Sequence, residues 1–195
     1  MKIAYCVEGS ADRALLHGLR DRWCPKAELV EGRFRGSQLP RSQIGKECKI
    51  LTQKGADLIV FLRDANLEDW RDVLKADKAK CPPEYRHRVI FGVCARNVEC
   101  WLASDPDHLA AKFGRSRADF MTADPSPAVK GAFGMVGFDK EQQEPRLAAF
   151  VTTAPLPRWL QNKSFENFYD QVWQQSKELG CTLENLRERQ TEQKR

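Results

Sequence analysis

The chain lacks several features that would assign it to a class at once. None of its seven cysteines forms a CxxC pair, and its three histidines stand apart from them and from one another. The spacings of zinc ribbons and zinc fingers are therefore absent. No G-x-x-x-x-G-K-S/T run occurs; the nearest approach, Gly32-Arg-Phe-Arg-Gly36, has the wrong order. That excludes ATP hydrolysis by a P-loop of its own. No apolar run approaches the length of a membrane span. Met1-Lys2-Ile3 passes straight into an apolar segment that a cleaved signal peptide would delete, so a cytoplasmic protein without membrane attachment is expected. Scattered cysteines, odd in number, fit reduced and partly buried thiols in such a compartment. The net charge of +5 is compatible with a nucleic-acid partner but does not identify one.

What is present is a set of three apolar runs that each end in acid. Ile3–Val7 precedes Glu8, Leu58–Leu62 precedes Arg63-Asp64, and Val89–Cys94 precedes Arg96-Asn-Val-Glu99. Runs of this length, rich in β-branched and aromatic residues, read as buried strands of a parallel sheet. Open sheets of that kind bind ligands outside the carboxyl ends of their strands. Glu8, Asp64 and Glu99 should therefore meet at one edge, where clustered carboxylates call for a hard cation such as Mg²⁺ or Mn²⁺.

The segments between the runs have helical spacing. A helix is expected over about 10–23, another late in 38–54, and others over 66–79, from about 97, and over 105–114. A short strand is expected near 29–34, with a turn at Gly36. This alternation predicts an α/β fold with helices on both faces of the sheet. It occupies 1–114 and is followed by an irregular or partly helical insertion over 115–157, where Pro125, Pro127, Pro145, Pro155 and Pro157 cluster. A C-terminal helix over 158–180 should pack on the core, and 181–195 reads as a polar, frayed tail.

Within the acidic set, Asp12 lies one helical turn beyond Glu8 and could share its site or complement a helix N-terminus. Asp64 and Asn66 are two apart, on one side of any extended segment, although Asn66 could instead cap the next helix. Glu99 sits among Val98, Cys100, Trp101 and Leu102, so it needs a metal or a salt bridge, with Arg63 or Arg96 in reach by sequence. Those two arginines are candidates for phosphate contacts. Arg33, Arg35, Arg41 and Lys46 could extend a backbone-binding surface.

Taken in order, Val7-Glu8-Gly-Ser-Ala-Asp12, Arg63-Asp-Ala-Asn66 and Val98-Glu-Cys-Trp-Leu-Ala-Ser-Asp105 resemble the Toprim-like proteins of the DUF4276 and RloB type, small relatives of the Toprim domain of OLD-family nucleases. The likeness spans about residues 1–114. Lys163-Ser-Phe-Glu-Asn-Phe168 adds weaker support, being similar to that family's late Ser-Phe turn. The resemblance implies a Toprim-like (Rossmann-like) sheet and a nuclease dependent on Mg²⁺ or Mn²⁺. Glu8 would be the catalytic or metal-binding glutamate, Asp12 a second-metal ligand, Asp64 the principal ligand, and Glu99 would complete the site. It also implies an antiphage-type system with an ATPase partner, acting on DNA in preference to RNA. One departure stands out: the second acid of the family's D-x-D is Asn66. A second reading is accordingly a degenerate Toprim-like subunit that binds or regulates through a partner. A third is a phosphotransferase with Asp64 as nucleophile.

Overall fold

Four short segments pair side by side, all parallel; three of them are apolar enough to be covered on both faces, and the short fourth, Glu28–Glu31, forms a border. They are β1 (Lys2–Cys6), β2 (Glu28–Glu31), β3 (Leu58–Asp64) and β4 (Val89–Cys94), in the order β2-β1-β3-β4. The computed structural model describes residues 1–33, 40–136, 140–176 and 179–188. Parallel neighbours need crossovers, and these are α1 (Ser10–Trp23), α2 (Ile44–Gln53) and α3 (Trp70–Ala79). From β1 the chain first steps to one side, to β2, and then returns to build β3 and β4 on the other. The sheet's order thus reverses between β1 and β3, where α/β sheets open a crevice at their carboxyl edge.

Strand alternation divides the core into two layers. Ile3, Tyr5, Leu58, Val60, Leu62 and Ile90 face α1 and the C-terminal helix, while Ala4, Cys6, Ile59, Phe61, Val89 and Phe91 face α2 and α3. The expected strand and turn fall partly at 34–39, which with Gly36 and Arg35 lie outside the described residues. The third crossover helix starts at Trp70 rather than near residue 66, because Asn66 takes a left-handed backbone (φ 54°). Asp69 then caps it by accepting from the Arg71 N–H at 2.8 Å.

The insertion, expected to be irregular or partly helical, is largely helical among the described residues. After α4 (Val98–Leu102) and α5 (Pro106–Phe113) come α6 (Arg117–Phe120), α7 (Ser126–Phe133), α8 (Glu144–Thr153), α9 (Leu156–Trp159) and α10 (Lys163–Ser176). Pro127, Pro145 and Pro157 occupy opening turns, where a missing N–H costs nothing, so they start helices instead of breaking them. Phe120, Phe133, Leu147, Phe150 and Val151 join the same core as the sheet. The insertion is therefore part of the main body.

Helix α8 lies directly on α1 at Gly18, where an added Cβ would stand 2.5 Å from the Ala148 carbonyl oxygen and 2.6 Å from the Val151 Cβ. Gly18→Ala gains up to about 1 kcal/mol of helix propensity but forces these backbones apart, at roughly 1–3 kcal/mol. The net result should be a lower urea midpoint with an unchanged slope. A higher midpoint would mean that α8 yields freely.

The C-terminal segment also departs from expectation. Leu186 is fully buried, Arg22 pairs with Glu184, and the Tyr169 hydroxyl donates to the Glu184 carbonyl at 2.7 Å. Cys181 is disulfide-bonded to Cys24 at the end of α1, so two of the cysteines expected as thiols are joined. Cys48, Cys81, Cys94 and Cys100 are free thiols, the first three of them buried. Leu183 and Leu186, apolar residues in a polar run, were the overlooked sign of docking. Residues 189–195 lie outside the described part of the chain.

At the sheet's outer edge, α10 turns amides toward β4. The Gln171 side chain accepts from the Phe91 N–H and donates to the Phe91 carbonyl, and Gln175 donates to the Val89 carbonyl at 3.0 Å. Among the described residues no helix is long and apolar enough to cross a membrane.

Candidate acidic site

The crevice at the strand-order reversal holds the acids. A cleft of about 390 Å³ there is lined by Glu8, Asp12, Asp64, Glu99 and Lys130, among others. Each side chain arrives by a local rule. Glu8 follows the end of β1. Asp12 lies in the first turn of α1, where its Oδ2 accepts from the Gly9 N–H at 2.9 Å, half of a capping box. Asp64 closes β3 and stands opposite Cys94 in register. Glu99 comes from α4, whose N-cap Asn97 accepts from the Cys100 N–H at 3.2 Å.

The tightest grouping is Asp12, Asp64 and Cys94, whose ligand atoms all lie within 4.8 Å of one another. It can hold a metal ion. Glu8 and Glu99 form the cleft wall around it. Asp12 Oδ1 and Asp64 Oδ1 are both buried without a hydrogen-bond partner. Two orphaned acceptors of like charge in one spot carry a desolvation penalty that a cation would remove. The donor set therefore fits a metal.

The proton affinities report the same crowding. Burial and the Asp64, Glu99 and Glu8 charges push Asp12 well above the usual carboxylate range. Burial, Glu8 and Glu99 raise Asp64 to about 7, against the opposing pull of Lys130 and the Val98 backbone. Burial raises Glu8, partly offset by the Asp64 backbone and Arg63. Cys94 is driven up by burial and by its acidic neighbours, so in the metal-free site it is a thiol.

Glu99, 3% exposed, pairs with Lys130 of α7 at 3.4 Å. Neither arginine considered from the sequence is its partner. Arg63 points to the opposite face from Asp64, as adjacent strand residues must, and pairs with Asp77 of α3 at 3.2 Å. Arg96 reaches the Ala123 carbonyl and Asp124. Asn66 does not line the cleft: its left-handed backbone leaves it exposed in the turn after β3. Of the basic residues expected to extend a surface, Arg33 pairs with buried Glu47 and Arg41 with buried Asp77. Lys46 is exposed.

Two contributors escaped the sequence reading. Cys94 was signalled by its place at the end of the third apolar run, on the same strand face as Ile90. Lys130 carried no such sign, because it enters from a helix far along the chain.

No family profile, characterised protein or solved structure matches this chain.

Proposed function

We propose that the acidic cleft is a divalent-cation site serving phosphodiester cleavage in a Toprim-like protein. The observation that carries this reading is the pair of buried, unpartnered oxygens of Asp12 and Asp64 at the sheet's switch point. Four carboxylates surround one thiol there, and such an oxygen-rich set suits Mg²⁺ or Mn²⁺ over softer metals. Asp12 and Asp64 would hold the ion, and Glu8 and Glu99 line the cleft beside them. When bound, it supplies Lewis-acid polarisation of a phosphoryl oxygen and a more acidic water.

The protein's own groups supply the rest. Glu8, half-buried and holding its proton more tightly than an ordinary carboxylate, is placed to exchange a proton with an attacking water or a leaving oxygen. The Lys130 ammonium, nearly half exposed, neutralises Glu99 and presents positive charge where a phosphate would enter. Position 66 lies outside the cleft, so Asn66 subtracts no charge from it. Asp12 provides the second acid instead, which favours an active site over a degenerate one. DNA is the proposed substrate, with an ATPase as the partner that supplies the missing P-loop.

Calorimetry with Mn²⁺ and Zn²⁺ tests the site. Wild type should bind Mn²⁺, and Asp12→Asn should weaken binding by at least tenfold. Cys94→Ser should leave Mn²⁺ affinity within about threefold, since the oxygens carry it. If Mn²⁺ fails to bind at millimolar concentration, or if Zn²⁺ alone binds and Cys94→Ser abolishes it, the hard-cation reading is wrong. Metal-dependent cleavage of duplex DNA then decides the activity itself.

A further inference from the structure

Arg33 and Arg41 of the expected basic surface are tied up with buried acids, but another set of cations lines a cleft that no carboxylate enters. A cleft of about 450 Å³ lies at the outer edge of β4 between α3 and α10. Lys75, Lys78 and Arg86 line it together with Gln171, Gln174 and Gln175, and no carboxylate does. None of the three cations forms an ion pair among the described residues. Burial with no opposing charge pulls the Lys78 ammonium below its ordinary range, a cost that a bound anion would relieve. The amides of Gln171 and Gln175 are engaged with β4, so the wall opposite α3 is polar, neutral and held in place.

The cleft is aligned with the acidic site. Helix α10 runs from Ser164, whose hydroxyl accepts from the Ala95 N–H at the carboxyl end of β4, to Gln175 beside Val89 at the amino end. Asp64 pairs with Cys94 in register. Val89 and Phe91 line the cleft and Cys94 stands at the acidic site, so the two lie three to five residues apart along β4, roughly 10–17 Å at 3.3 Å per residue. That is about three to five base-pair steps of rise along the axis of B-form DNA.

We propose that this cleft is a docking site for backbone phosphates of a nucleic-acid duplex that enters the acidic site, about three to five base pairs along from it. The assignment rests on the phosphodiester reading above, and the test separates the two. Binding of a labelled 16-base-pair DNA duplex is measured by anisotropy in EDTA, across a range of salt. The Lys75→Gln, Lys78→Gln, Arg86→Gln triple variant should bind at least tenfold more weakly at 0.1 M salt, and its log–log salt slope should be smaller by about 2–3. A Lys75→Arg, Lys78→Arg variant should bind as wild type does, which controls for folding. Equal binding by the triple variant, or no duplex binding by wild type, would overturn the proposal. If inorganic phosphate moves the Gln171 and Gln175 side-chain amide signals while the duplex does not, the ligand is a small free phosphate and the polymer assignment falls. Duplex binding that depends on this cleft, without any metal-dependent cleavage, would sink the nuclease reading and leave this one standing.

Discussion

Asp64→Asn should stabilise the metal-free protein while abolishing its response to Mn²⁺. The folded state holds Asp64 with a proton affinity near pH 7, because of burial and the Glu8 and Glu99 charges. An unfolded aspartate titrates near 3.9. A folded-state pKa above the unfolded one contributes stability that is complete below pH 4 and is lost as pH rises through 7. At pH 8 the metal-free protein therefore carries an unfavourable charge. The neutral amide removes it, worth on the order of 2 kcal/mol after screening in an open cleft. For a chain of this size that corresponds to a rise of roughly 4–8 °C in Tm. Wild type should gain a comparable shift from saturating Mn²⁺, and the variant almost none. Cleavage by the variant should fall by at least a hundredfold. Thermal melts from pH 4 to pH 8, with and without Mn²⁺, read both effects. A variant that is less stable than wild type at pH 8 without metal would show that Asp64 is a structural acid.

The second large effect is expected at Trp101, which joins the acidic site to the C-terminal helix. Its ring is fully buried, stacks obliquely on Phe168 and meets Phe165 edge-on. Its Nε1–H donates to Ser164 Oγ at 2.7 Å, and the same oxygen accepts from the Ala95 N–H at 3.0 Å. Ser164 in turn donates to Asn162 Oδ1 at 2.8 Å. One serine thus fastens the end of β4 and the start of α4, the segment that carries Glu99. Trp101→Ala should cost about 3–5 kcal/mol through the cavity alone, lowering Tm by roughly 6–20 °C. Ser164→Ala, which leaves the buried indole N–H unpaired and frees the exposed Ala95 N–H to water, should cost about 1–3 kcal/mol. The two losses should be less than additive in a double-mutant cycle, because both remove the same hydrogen bond. Strict additivity would mean that the serine and the indole act independently.

How far the residues announce this arrangement depends on the range over which each acts. Glu8, Asp64 and Glu99 were legible because a buried strand ends where its apolar run ends, and a parallel sheet brings those ends together. Arg63 was misjudged for a reason equally local: strand alternation sends it to the face opposite its neighbour Asp64, where Asp77 receives it. Asn66 was placed by assuming an extended chain that a left-handed residue interrupts. The prolines clustered in 115–157 gave that stretch an irregular texture in the sequence, although Pro127, Pro145 and Pro157 each open a helix. Lys130 and the Cys24–Cys181 bond were beyond such reasoning altogether. Each joins elements far apart in the chain, and no spacing rule records which helix will fold back over a cleft.

The amides that α10 lends to β4 bear on how the protein behaves at high concentration. A sheet ordinarily ends in a row of vacant donors and acceptors that a neighbouring chain can adopt as its own, which is how edge-to-edge aggregation begins. Here Gln171 occupies both backbone groups of Phe91, and Gln175 occupies the carbonyl of Val89. The opposite border, β2, is only four residues long. Strand pairing by a partner at this border is therefore blocked at Phe91 and at the Val89 carbonyl by two glutamines that no inspection for surface charge would single out.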